Sequence, residues 1–403
     1  MESNEPLLDK FENPFKPGAG HKPPYLAGRK EEELEFKSLL RQNVILKNLI
    51  LTGLRGVGKT VLLEALKPIA IDAGWIMVGT DLSESVSVSE ENLAIRLLTD
   101  ISVVTSGVSL TAQGRSAGFI NQPGRVNLNF ASLRRTYDET PGLVQDKLKV
   151  VLEYVWNVIK QFDKRGVIFA YDESQNLSDR ADKDQYPLSL LLDVFASIQK
   201  KEIPFMLVLT GLPTLFPTLV EARAYTERMF RVLTLGRLST EDTKEAISIP
   251  IVRAKCPFSF DEYSTEMICK LSGGYPYFIQ FICKEVYDRW IQQLDSGEPT
   301  AVPHEELVQK LDSDFYAGRW AKVTDRQRDI LQIVASLPNH DSEFTVQEIV
   351  EVSKERAKPF SSSHANQMLS LLTHAGLVYK NRHGKYSFAV PMFGDFIRRH
   401  TVN

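Results

Sequence analysis

The stretch NLILTGLRGVGKTVLL, residues 48–63, leaves the chain few ways to fold. Its first half is a short apolar run closed by glycine, the pattern of a buried strand. Its second half puts Leu62, Leu66 and, further on, Ile69 at helical spacing. Between the two lies G-x-x-x-x-G-K-[ST], written here GLRGVGKT. Gly53, Gly56 and Gly58 let the backbone curl so that successive N–H groups point inward at phosphate oxygens. The helix starting near Lys59 adds the positive end of its dipole. In this pattern Lys59 reaches the β- and γ-phosphates, and the Thr60 hydroxyl ligates Mg²⁺. Gly53, Leu54, Arg55, Gly56, Val57, Gly58, Lys59, Thr60 and Val61 are therefore the expected cradle for ATP.

A second signal lies downstream. GVIFAYDE, residues 166–173, reads as a buried strand ending in two acids. Asp172 at such a strand end holds a magnesium ion's water shell, and Glu173 polarises water for attack on a γ-phosphate. The alternative is a pair of carboxylates capping a helix. The next strand, FMLVLTG, carries Thr210 near its end, where a hydroxyl either orients the attacking water or simply caps the strand. Alternating strands and helices imply a mostly parallel sheet with helices on both faces.

At 403 residues and 43% apolar, the chain has room for two or three compact units. A net charge of −3 excludes a molecule that is basic all over. Cys256, Cys269 and Cys283 form no metal-binding pair and read as core thiols. The acidic start lacks the features of a signal peptide, and no apolar run approaches bilayer length, so a cytoplasmic location is expected. Residues 1–24 read as an extended, Pro- and Gly-rich arm. Residues 104–135 are polar and glycine-bearing and read as an inserted loop plus hairpin. Arg115, Arg125, Arg134 and Arg135 there either face a partner or belong to a solvated loop. Residues 239–320 read as helical, broken at Gly273–Pro276.

YLAGRKEEE, GLRGVGKT, VIFAYDESQNL, LTGLPTL, TERMFRVLTLGRLSTED and GGYPYFIQ occur in this order. Together they resemble the AAA+ ATPases, nearest to the origin-recognition and archaeal-ATPase branch and bordering on the STAND signalling ATPases. The resemblance implies a P-loop NTPase (AAA+) α/β fold: a parallel-sheet core over 25–238 and a helical lid over 239–320. It places Gly28 and Arg29 near the adenine pocket and Thr210 at sensor 1. Arg228 matches the arginine finger that completes a neighbour's site, the alternative being a cation at a helix C-terminus. The lid departs from the usual pattern: Tyr275, Pro276 and Tyr277 follow Gly274 where many AAA+ proteins carry a sensing arginine. The Gly-x-Pro order resembles STAND proteins, in which the lid proline contacts nucleotide, and it allows a slow switch. A second departure is the separation of 113 positions from Lys59 to Asp172, much of which the insertion explains.

Residues 321–403 read as a winged helix-turn-helix. Helices follow Thr324 and Thr345, and a third has Met368, Leu371 and Leu372 inward with Ser363, His364 and Gln367 outward. A hairpin turns at Asn381–Gly384. This block carries 11 Lys and Arg against 8 Asp and Glu, a local +3 in a chain of −3. Duplex DNA is one expected partner, with Arg382 and Lys385 on phosphates. A homo-oligomer or a docked protein is the other. His364 and His383 lack a third ligand and read as surface residues. The whole reads as an ATPase switch that acts on DNA or, alternatively, signals through protein docking.

Overall fold

The computed structural model describes residues 10–18, 20–105, 109–111, 125–382 and 384–401. Its strands are β1 (Asn48–Gly53), β2 (Trp75–Val78), β3 (Ser109–Thr111), β4 (Arg125–Asn127), β5 (Gly166–Tyr171), β6 (Phe205–Gly211), β7 (Phe230–Leu235), β8 (Phe344–Thr345), β9 (Val378–Arg382) and β10 (Lys385–Phe388). The chain divides into two compact units. One holds residues 1–29, 53–61 and 235–403; the other holds 30–52 and 62–234. Residues 53–61 thus group with the carboxy-terminal stretches, while most of the strand that leads into them belongs to the other unit.

The second unit is built on a five-stranded sheet of order β2-β5-β6-β1-β7. β1 runs parallel to β6, and β5 runs parallel to both β6 and β2. All six residues of β1 and of β5 are buried. Strands covered on both faces need this continuous apolar sequence, which is why neither alternates. The helix Pro187–Lys200 lies in the same core, and Phe195 meets Phe169 of β5 edge-on at 5.0 Å. Asn48 is fully buried and fixes the start of β1. Its Oδ1 accepts from the Leu207 amide at 2.8 Å and from Gln199 Nε2 at 2.9 Å. A buried amide with its partners satisfied selects one register where an apolar residue would tolerate slippage.

The insertion differs in part from its sequence reading. β3 and β4 do pair as an antiparallel ribbon. Phe130–Glu139, however, is a helix, started by Asn129, whose side chain accepts from the Ser132 amide. The alternation of Val126, Leu128 and Phe130 ends where this cap begins, because an Asn at an N-cap outweighs two more residues of strand-like pattern. Arg134 is tied to Glu91 at 2.8 Å and Asp138 at 3.0 Å, and Arg135 is exposed. Arg115 and His383 lie outside the described residues, and so do the side chains of Arg125 and Arg382.

The first unit is mostly helical: Thr240–Arg253, Glu262–Ser272, Pro276–Ser296 and His304–Leu311, then a π-helical turn over Asp312–Ala317. Phe15 of the amino-terminal stretch is 2% exposed within this core and lies 6.4 Å from Phe260. Asn13 donates to the Lys284 carbonyl at 3.0 Å, so this stretch is bound down by side chains. Helices Asp325–Ser336, Val346–Ser353 and Ser362–His374 follow, with the sheet β8-β10-β9 and a last helix, Phe393–Thr401. That is the element order of a winged helix-turn-helix. Thr324 with Gln327 and Thr345 with Glu348 form complete capping boxes, so both helix starts follow directly from sequence. One side-chain assignment does not hold. Leu371 is 45% exposed, and Ala365, Leu369 and Leu372 make the inward face of the third helix.

Candidate functional site

The loop Gly53–Val61 is set by its glycines. Gly56 and Gly58 have φ of 80° and 87°, in the left-handed region that favours glycine. At Gly53 the constraint is space, since a Cβ would lie 2.4 Å from the Leu235 carbonyl oxygen. Val57 is 1% exposed and anchors the loop, whereas Arg55 is exposed. Lys59 begins the following helix, Lys59–Asp72. Its Nζ donates to the carbonyls of Gly53 at 3.0 Å and Leu54 at 2.9 Å, which folds the side chain back along the loop.

Two further groups brace this loop. Arg29 is 6% exposed, and its Nη2 donates at 2.9 Å both to the Val57 carbonyl and to the Gly236 carbonyl. A buried guanidinium needs acceptors, and here backbone carbonyls supply them. Gly28, with φ 61°, leaves no room for a Cβ, which would lie 2.7 Å from Asp242 Oδ2. Pro276 occupies the first turn of the helix Pro276–Ser296, where its missing N–H costs nothing. The next amide, Tyr277 N–H, donates to the Gly56 carbonyl at 3.1 Å. The loop thus serves as part of a cap for that helix, a contact with no signal in sequence because it uses backbone alone.

The acids occupy the other unit. Asp172 is 3% exposed just beyond β5, and Thr210 of β6 donates its hydroxyl to Asp172 Oδ1. β5 and β6 are adjacent and parallel, which brings these two positions to one edge of the sheet. Glu173 is exposed and has a left-handed backbone (φ 50°); its amide donates to Asp172 Oδ1 at 2.8 Å, and its carboxylate accepts from Gln175. A non-glycine residue in that region is held by its surroundings, here by the Asp172 side chain.

One residue here escaped the sequence reading. Asp81 follows β2 and bridges to Asp172 through the backbone. Burial raises its carboxyl above the usual carboxylate range, and the charges of Asp172, Glu173 and Glu64 raise it further. The available signal was a second acid after a second apolar strand, WIMVGTD. Arg228 is exposed near the end of the short helix Thr226–Met229, and its carbonyl accepts from Lys47 Nζ at 2.7 Å.

Comparison of whole structures finds this architecture elsewhere. The Walker-type ATPase PABY2304 of Pyrococcus abyssi superposes with a TM-score of 0.58 at 15% identity, covering 93% of this chain and 96% of that one. The Aeropyrum pernix ORC2 protein in its ADP form gives a TM-score of 0.54 at 14% identity, covering 97% and 100%. The chain has the AAA+ P-loop fold. ORC2 in its ADPNP–ADP complexes agrees, with a TM-score of 0.51 at 13% identity over 96% and 98%. Residues 313–397 match a family model described as a domain of unknown function (DUF8462). No curated protein matches the sequence. Among the described residues no helix is long and apolar enough to cross a membrane.

Proposed function

We propose that this AAA+ chain binds and hydrolyses ATP with Mg²⁺, and that its nucleotide state governs a carboxy-terminal winged helix. The observation that carries the reading is the loop itself: left-handed Gly56 and Gly58 between a buried strand and the helix begun by Lys59. Such a loop turns its amides toward an anion, and the residues present fit a triphosphate. Leu54, Arg55, Val57 and Val61 complete the loop, with Gly28, Arg29 and Pro276 around it. Thr60 and Asp172 hold the metal, which supplies charge neutralisation at the phosphates. Glu173 orients and deprotonates water, Thr210 fixes Asp172, and Arg228 serves a neighbouring copy. The functional blocks are an arm (1–24), a core (25–238), a lid (239–320) and a winged helix (321–403).

For the output we propose duplex DNA, supported by the local +3 of residues 321–403. A specific observation favours a second reading, a signalling switch whose winged helix docks protein. The exposed face of the third helix (Ser362, Ser363, Asn366, Gln367, Ser370 and Leu371) contains no Lys or Arg. Fluorescence anisotropy with duplex DNA separates the two. DNA action gives affinity that falls steeply with salt and rises with ATP. No measurable DNA affinity, with ADP retained through purification, supports the protein-docking switch. Absence of magnesium-dependent nucleotide affinity by calorimetry overturns both.

A further inference from the structure

The winged-helix stretch holds a cluster that neither DNA binding nor nucleotide binding uses. His340 follows the helix Asp325–Ser336, and its Nε2 lies 3.2 Å from Asp395 Oδ1 and 3.3 Å from Asp341 Oδ1. Asp395 sits in the first turn of the last helix, so two distant segments of chain converge on one ring nitrogen. The ring is 7% exposed and fixed by shape: a Cβ on Gly394 would lie 2.3 Å from His340 Cδ2. Among the described residues, neither carboxylate has a Lys or Arg within ion-pair distance.

The charges do not close. Nε2 carries at most one proton, which serves one carboxylate well and not two. Nδ1, on the other side of the ring, is buried with no hydrogen-bond partner. Two carboxylate oxygens from distant segments therefore converge on one ring nitrogen. A divalent cation satisfies all three donors together. Nε2 lies 3.2 and 3.3 Å from the two carboxylate oxygens, and the ligand atoms of the three residues all lie within 4.8 Å of one another, separations that a zinc ion with bonds of about 2.0–2.1 Å to nitrogen and oxygen can span.

We propose that His340, Asp341 and Asp395 form a zinc-class divalent-cation site. Nε2 and one oxygen from each carboxylate are the protein ligands, and solvent takes the fourth position beside Asp341, whose side chain is 53% exposed. The site is independent of the ATPase reading. It cross-links the turn after the first winged-helix helix to the last helix, inside the stretch that matches the domain of unknown function.

The test uses the full chain, stripped with chelator and free of nucleotide, titrated with Co²⁺ and then competed with Zn²⁺. Expected is one saturable equivalent with a visible nitrogen–oxygen ligand-field spectrum and no thiolate charge-transfer band. His340→Gln and Asp395→Asn should each weaken binding at least about tenfold. Asp341→Asn, at an exposed position, keeps the test valid if either of the others fails to fold, and should also weaken binding. Zinc should raise the melting temperature of the wild type and not of Asp341→Asn. No saturable binding, a thiolate band reporting Cys256, Cys269 or Cys283, or undiminished affinity in Asp341→Asn overturns the proposal.

Discussion

The phosphate loop and the acidic sheet edge reach order by opposite means. Around Gly53–Val61 the structure is held by backbone: the Gly56 carbonyl receives the Tyr277 amide, while Val57, Gly53 and Leu54 offer carbonyls to Arg29 and Lys59. These contacts pair cations with dipoles and leave little electrostatic conflict. At the sheet edge, side chains of one sign crowd together, and the Asp81 carboxyl is raised by burial first and by these like charges second. Thr210 and the Glu173 amide both donate to Asp172 Oδ1. The loop region is thus held by cations on backbone carbonyls, whereas the acid edge gathers carboxylates of like charge. Their sensitivities to mutation should differ accordingly.

The largest expected effect tests the loop. Lys59→Ala should cut ATP affinity by more than about 100-fold in calorimetry, because a buried point charge has no backbone substitute. Unchanged affinity would break the contrast at its strongest point. Next is Glu173→Gln, which should slow hydrolysis by about 10²–10⁴-fold in a phosphate-release assay while leaving ATP affinity within about threefold. Comparable losses of binding in both variants would mean that the acid edge, like the loop, builds the binding site.

Arg29→Ala should destabilise the fold by about 2–3 kcal/mol in denaturant unfolding, because the carbonyls of Val57 and Gly236 lose a charged donor. It should weaken ATP and ADP binding together, as expected of a brace. Loss of adenine discrimination with unchanged stability would instead assign Arg29 to contact with the base.

The smallest effect sharpens the electrostatic side. The folded carboxyl of Asp81 titrates above its unfolded value near 3.8, so above that range its ionised form opposes folding. Asp81→Asn should therefore raise the melting temperature at neutral pH by no more than about 2 °C. The gain should vanish as pH falls below the unfolded value, where the wild-type carboxyl is protonated in both states. A stabilisation independent of pH would show that packing, and not charge, limits this edge.

The loop and the acid pair were legible in sequence because both are contiguous. GLRGVGKT states its own backbone geometry through its glycines, and VIFAYDE carries its burial in an unbroken apolar run. The helix Phe130–Glu139 was missed because two strand-like residues outweighed its Asn129 cap in the reading. Leu371 was misplaced because the helix register is set by Ala365 and Leu369, and alanine gives a weak apolar signal. Asp81 and His340 gave almost no signal, since each acquires its partners from a segment far along the chain.

By itself the sequence determined the strand–loop–helix at residues 48–72, the apolar strands of the sheet and the capped helix starts at Thr324 and Thr345. In each case the deciding interactions lie within a few residues: φ preference, side-chain period and cap hydrogen bonds. Only the tertiary structure decided that Arg29 braces the loop, that Tyr277 hands its amide to Gly56, and that Asp341 and Asp395 meet on His340. Those contacts depend on how distant segments pack, and a hydrogen-bond donor or a carboxylate has the same identity in the sequence whichever partner the fold brings to it.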